Sequence, residues 1–163
     1  MNDPRNHVKP IPGKLLTFPM GWGGRRVYGG RYYDSVNLPA KFFKVKMAKE
    51  IGLPCDANVP TKDYSVPTIA DLEKAIEQTL KAMSQNKPIY VGCMGGIGRT
   101  GLFLGVLARV FGIDNPIVWV RTQYNSHAIE TLEQEAFVKG FPIRKLQLSA
   151  KKYKRLALIK FWM

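Results

Sequence analysis

Residues 87–101 read KPIYVGCMGGIGRTG. A short apolar run follows a proline and gives way to Cys93–Gly101, where four glycines, one cysteine and one arginine occupy nine residues. The run 87–92 reads as a buried strand. The segment after it, TGLFLGVLARVFG (100–112), reads as an apolar helix that ends at a glycine. A strand that feeds a helix through a glycine-rich turn makes an anion site. Successive N–H groups can turn inward, and the helix dipole adds about half a positive charge at that end. The loop lacks the Gly-Lys-Ser/Thr ending of an NTP-binding loop and has no G-x-G-x-x-G spacing.

Cys93 and Arg99 discriminate among anion sites. Cys93 stands at the end of the strand. Inward N–H groups, a helix N-terminus and a nearby guanidinium favour a thiolate, the nucleophilic form of the side chain. Arg99 opens the helix and presents a fork that matches two oxygens of a phosphoryl group. Six positions separate them, enough to wrap Met94, Gly95, Gly96, Ile97, Gly98 and Arg99 once around a tetrahedral anion as its phosphate-binding residues. Thr100 follows directly, with a hydroxyl proton to offer the thiolate when it leaves. A structural glycine turn with an inert cysteine is the alternative, and it leaves Arg99 and the glycines without a role.

Working outward, IADLEKAIEQTLKAMS (69–84) places Leu72, Ile76, Leu80 and Met83 at helical spacing, with Thr68 as N-cap. Upstream, GLPCDANVPTKDYSVPT (52–68) has three prolines and no periodicity, and it reads as one long loop. The first 50 residues hold short β-prone runs (Leu15–Phe18, Arg26–Tyr28, Phe42–Met47) between glycines, prolines and asparagines. Downstream, a helix is expected over 114–124, with Asp114 as N-cap and Pro116 in its first turn. An amphipathic helix is expected over 128–141. The tail RKLQLSAKKYKRLALIKFWM alternates basic and apolar residues and suits a final strand or helix.

The composition is that of a globular chain of 163 residues, 45% hydrophobic and 23% charged. The net charge is +13. Residues 1–50 carry 10 Lys/Arg against 3 Asp/Glu, residues 51–138 carry 7 against 9, and residues 139–163 carry 8 against none. Basic ends of this kind attract polyanions: RNA, anionic lipid or phosphorylated protein. No apolar run approaches the roughly 20 residues that span a bilayer, and the first ten residues lack the apolar core of a secretory signal. Cys55 and Cys93 alone make no disulfide framework, so a cytoplasmic, reducing setting is expected. His7 and His127 make no metal pair, and neither a metal nor a cofactor is expected.

The loop Cys-Met-Gly-Gly-Ile-Gly-Arg-Thr-Gly resembles the Cys-x5-Arg-Ser/Thr loop of the cysteine-dependent protein phosphatases, most closely the tyrosine-specific and dual-specificity branch. The resemblance runs over about residues 60–140. It implies a general acid on a loop some thirty residues earlier. TKDYSVPT supplies Asp63 there, with Pro67 four residues on, and Asp56 is the second candidate. VRTQYNSHAIETLEQEAFV is similar to the family's C-terminal helix pair and implies that Gln134 orients the hydrolytic water; Glu130 reads as a packing or hydrogen-bonding residue, with Arg99 as one partner it could reach. The family carries His before the cysteine, where this chain has Gly92, which puts its catalytic efficiency in question. No aromatic recognition loop stands out, though Tyr28, Tyr32 and Tyr33 lie among arginines. Cys55 reads as a small apolar side chain, with a disulfide to oxidised Cys93 as the alternative.

The expected fold is α/β, a central, mostly parallel twisted sheet flanked by helices, as in protein tyrosine phosphatases. The expected organisation is one domain over 1–163, with a strand-rich part (1–50), a catalytic core (60–140) and a basic tail (141–163). The expected function is phosphomonoester hydrolysis on phosphotyrosine, or phosphoserine/threonine, proteins through a phosphocysteine. RNA 5′-phosphatase or phosphoinositide phosphatase activity is the rival within catalysis, and a non-catalytic phosphate-binding module is the rival outside it.

Overall fold

The computed structural model describes residues 10–18 and 25–162, so His7 lies outside the described residues. Five strands form one sheet: β1 (Lys14–Leu16), β2 (Val27–Arg31), β3 (Phe43–Ala48), β4 (Ala57–Thr61) and β5 (Ile89–Cys93). Their order is β1-β2-β5-β3-β4. Among the described residues, only the β1–β2 pairing is antiparallel. Five helices follow or separate them: α1 (Ile69–Ser84), α2 (Gly98–Val110), α3 (Pro116–Gln123), α4 (Leu132–Gly140) and α5 (Arg144–Trp162). None is long and apolar enough to cross a membrane.

Strand β5 is central, buried at every residue, and it points Cys93 out of the middle of the sheet. Pleating sorts its side chains. Ile89, Val91 and Cys93 join Val27, Val45, Leu72, Ile76 and Leu104 in the main core beneath the helices. Tyr90 turns the other way, into a smaller cluster with Tyr28 and Phe42. Helix α2 is buried at every position but Arg109, which explains a sequence apolar around its whole circumference. Its N-terminus is therefore held on all sides.

The expected loop over 52–68 is corrected: residues 57–61 form edge strand β4, with Ala57, Val59 and Thr61 inward and Asn58 and Pro60 outward. Pro60 sits in an outer strand, where its missing N–H costs the sheet nothing. The helix expected over 128–141 starts only at Leu132. Ile129 has φ 61°, which no helix continues, and Thr131 and Gln134 close a capping box that begins α4. His127 accordingly sits in an exposed turn rather than at a helix start. The N-cap of α3 is Asn115, one residue past Asp114. The tail is helical throughout its described length.

Candidate active site

Strand β5 and helix α2 position the two central groups. Cys93 closes the strand and is 2% exposed; Arg99 is in the first turn of the helix with a side chain 1% exposed. The loop between them folds tightly. Gly96 has φ 72°, and a Cβ there would lie 2.5 Å from the carbonyl carbon of Gly30, so only glycine fits. Its N–H donates to Cys93 Sγ at 3.2 Å. Its carbonyl accepts the hydroxyl of Tyr124, at the end of α3.

Gly92 has a physical cause. A Cβ at this position would lie 2.7 Å from the backbone nitrogen of Tyr32, in the short 3-10 turn Tyr32–Ser35 that covers this part of the sheet. The histidine of related loops has no room here. Tyr32 is itself buried, its hydroxyl bonded to the Pro54 carbonyl, so it belongs to the scaffold. Tyr33 is half exposed and Tyr28 sits in the smaller core.

Arg99 is held by a partner that the sequence reading missed. Its Nη1 and Nη2 each donate to one oxygen of Glu50, both at 2.7 Å, and Nη1 also donates to the Thr61 carbonyl at 2.9 Å. Glu130 is a packing residue rather than a partner of Arg99. That carboxylate lies instead against the start of α2, where a Cβ on Gly98 would meet Glu130 Oε1 at 2.5 Å. The hydrogen bonds from Arg99 hold the Glu50 carboxyl below the usual carboxylate range. For Arg99, burial works against the charge, but Glu50, Cys93 and Asp63 outweigh it and push its pKa up. Glu50 is the single acid between Ser35 and Cys55, in an otherwise basic stretch, and that isolation is its one sequence signal.

Asp63 is brought to the site. Its Oδ1 lies 3.5 Å from Arg99 Nη2 and accepts the Tyr64 N–H at 3.0 Å. Asp56, by contrast, accepts the Lys44 N–H at the far end of the β3–β4 pair. Thr100 is fully buried, and neither its Oγ1 nor the Nε of Arg99 has a hydrogen-bond partner. Two unpaired buried donors beside one loop fit an oxyanion bound there, since each left unpaired costs roughly 1–3 kcal/mol. Gln134 is fully buried. Its Oε1 accepts the N–H groups of Glu130 and Thr131, and its Nε2 donates to the Ser65 carbonyl at 3.0 Å. It thus ties α4 to the loop that carries Asp63. Cys55 is a free, half-buried thiol whose pKa burial pushes up, unlike an activated nucleophile.

A cysteine at the tip of a central parallel strand, a glycine loop and a buried arginine opening the next helix thus stand together at one end of the sheet. Residues 35–110 match the family described as "Tc-R-P: Polymorphic toxin system, DSP-PTPase phosphatase". The structure is similar to Tk-PTP in its active form, with a TM-score of 0.59 and 20% identity over 76% of this chain and 95% of that one. A mutant form of Tk-PTP gives a TM-score of 0.60 and 18% identity over 83% and 97%. These two likenesses are of fold. The family match covers 76 of the 163 residues, and the fold it shares with these structures is that of the protein tyrosine phosphatases. In sequence, the chain is 45% identical over 80 residues to the uncharacterized protein MJ0215 of Methanocaldococcus jannaschii, covering 49% of this chain and 50% of that protein. It is 39% identical over 88 residues to MJECL20 of the same organism, covering 54% and 60%. The chain spans about half the length of the curated relatives it matches.

Proposed function

We propose that the chain hydrolyses phosphomonoesters of phosphotyrosine or phosphoserine/threonine proteins through a phosphocysteine. The observation that carries the reading is the Cys93 loop itself: a buried sulfur receiving the Gly96 N–H, with Arg99 fixed beside it. Cys93 attacks phosphorus as a thiolate. The P–S bond forms as the P–O bond to the leaving group breaks, and that oxygen takes the proton of Asp63. Backbone N–H groups of residues 94–99 and Arg99 stabilise the equatorial oxygens in the transition state. In the second half, water attacks phosphorus and passes a proton to the Asp63 carboxylate. The S–P bond then breaks, and orthophosphate leaves. Thr100 turns its unpaired hydroxyl towards the departing sulfur. Gln134 directs the water through the second N–H of Nε2, the first being bonded to Ser65.

Turnover of p-nitrophenyl phosphate that persists in EDTA, is blocked by orthovanadate and disappears in Cys93→Ser is the expected result. A dead wild type that still binds phosphopeptide makes the chain a phosphate reader instead. Comparing phosphotyrosine and phosphothreonine peptides, triphosphorylated RNA and an inositol lipid assigns the substrate; preference for either of the last two replaces protein as the substrate class.

We read the chain as one domain, supported by a core that runs without interruption from Leu16 to Ala150. Two free thiols support a reducing, cytoplasmic setting. Helix α5 supports a polyanionic partner: its outward side mixes Lys151, Lys152 and Arg155 with exposed Leu148, Leu158 and Ile159. Leucines among cations favour anionic lipid over RNA. Co-sedimentation with phosphatidylserine vesicles, lost in Leu148→Glu/Ile159→Glu, is expected; binding of single-stranded RNA alone would assign the helix to nucleic acid.

A further inference from the structure

We infer that Tyr124 is a positioning residue for the anion cradle: by holding the Gly96 carbonyl on the outside of the loop, its buried hydroxyl keeps the neighbouring N–H groups directed at Cys93. The inference rests on the phosphatase reading above and deepens it. Tyr124 lies outside the matched segment 35–110 and is 8% exposed. A buried phenol needs an acceptor. This one finds it 28 residues back along the chain, in the catalytic loop, rather than on its own helix.

The geometry explains why that bond matters. In a trans peptide the carbonyl and the following N–H point in opposite directions. With the Gly96 oxygen tied outward to Tyr124, the N–H of Ile97 turns inward. Rotating that peptide would aim an oxygen at the sulfur and repel an oxyanion. Gly96 has no side chain to oppose such rotation, so the loop needs an external tie. The N–H on its other side is the one that reaches Sγ, at 3.2 Å.

Two further features hold Tyr124 in place. Gly29 on β2 makes room for the ring: a Cβ there would lie 2.7 Å from Tyr124 Cε2. Arg121, one turn earlier on α3, donates to the carbonyls of Ala128 at 2.9 Å and Ile129 at 2.7 Å, and also to Glu135 at 2.8 Å. That clamp fixes the end of α3 against the turn that follows it. Burial, and then the charge of Cys93, push the pKa of the phenol up, so it remains a donor across the pH range of any assay.

The test uses Tyr124→Phe, which keeps the ring and removes the hydroxyl, and Gly29→Ala, which displaces the ring from beneath. Loss of one hydrogen bond of about 1 kcal/mol corresponds to about a fivefold effect. Both variants should bind orthovanadate about fivefold more weakly. At pH 6, iodoacetamide should alkylate Cys93, followed by peptide mass to exclude Cys55, about fivefold more slowly than in wild type. At pH 10, where thiols are ionised, the rates should converge. With p-nitrophenyl phosphate the loss should appear in kcat more than in KM. Wild-type vanadate affinity and wild-type alkylation at pH 6 in Tyr124→Phe would overturn the inference, whatever the turnover. If wild type shows no turnover, while the variant still loses vanadate affinity and alkylates slowly at pH 6 alone, the positioning role stands and the phosphatase reading falls. A loss of alkylation equal at both pH values marks general damage to the loop and also overturns it.

Discussion

Two loops leave the same end of the sheet and meet at Arg99, and they are built in opposite ways. The β5–α2 loop is anchored at each stage: Gly96 to Sγ, the Gly96 carbonyl to Tyr124, and Arg99 to Glu50 and the Thr61 carbonyl. The β4–α1 loop carries Asp63 with a side chain 54% exposed. Its next residue, Tyr64, is 61% exposed and adopts φ 59°. Local strain of this kind costs about 1–3 kcal/mol and survives only where something else holds it. Here the hold includes the Ser65 N–H on the Lys62 carbonyl and Gln134 on the Ser65 carbonyl. In the proposed mechanism, the group that would hold charge is fixed by burial and backbone, and the group that would deliver a proton stands half exposed on the neighbouring loop.

The largest test of this contrast is Cys93→Ser. It should lower turnover of p-nitrophenyl phosphate about 10⁴-fold or more, because a hydroxyl at that site is not ionised. Residual activity near wild type would remove the nucleophile from the anchored loop. Next, Asp63→Asn should lower kcat about 10²- to 10³-fold while orthovanadate affinity stays within about twofold, since in the proposed mechanism Asp63 moves a proton and does not hold the anion. An equal fall in vanadate affinity would erase the division of labour between the loops.

Smaller effects sharpen it. Restoring the family's histidine with Gly92→His should not raise activity. It should lower stability by about 1–3 kcal/mol, because the Tyr32 backbone occupies the space. An unchanged melting temperature would show that the 3-10 turn gives way. Glu50→Gln should cost about 1 kcal/mol, the discounted value for a pair whose carboxylate is 39% exposed. The Glu50 carboxyl is held below its ordinary value of 4.5, so its contribution is complete above that pH and is lost as pH falls through the lowered one. The gap in melting temperature between wild type and Glu50→Gln should be constant from neutral pH down to the ordinary carboxylate value and close only below it. A gap that closes near neutrality would refute the pairing.

The anchored loop was legible because its constraints are local. Cys93, the glycines and Arg99 are consecutive, and strand-to-helix context follows from the residues on either side. Helix α1 was legible for the same reason, with its period and its Thr68 cap written side by side. The partners that fix the loop were not. Glu50 reaches Arg99 only because β3 lies beside β5, and Tyr124 reaches Gly96 only because α3 packs on α2; beyond the isolation of Glu50 in a basic stretch, nothing in the sequence points to either pairing. Strand β4 was hidden by Pro60, which an outer strand tolerates. The start of α4 was hidden because Ala128 and Ile129 look helical in composition while Ile129 is left-handed. Asp63 was found through resemblance, since its position depends on a turn that its own residues do not dictate.

The fork between Arg99 and Glu50 bears on how a catalytic cycle would end. A guanidinium alone in a dry cradle grips orthophosphate strongly and slows its departure. One that already shares its charge with a carboxylate holds the product less firmly, yet keeps its aim. By that logic, in the proposed cycle Glu50 would serve the emptying of the site as much as its assembly.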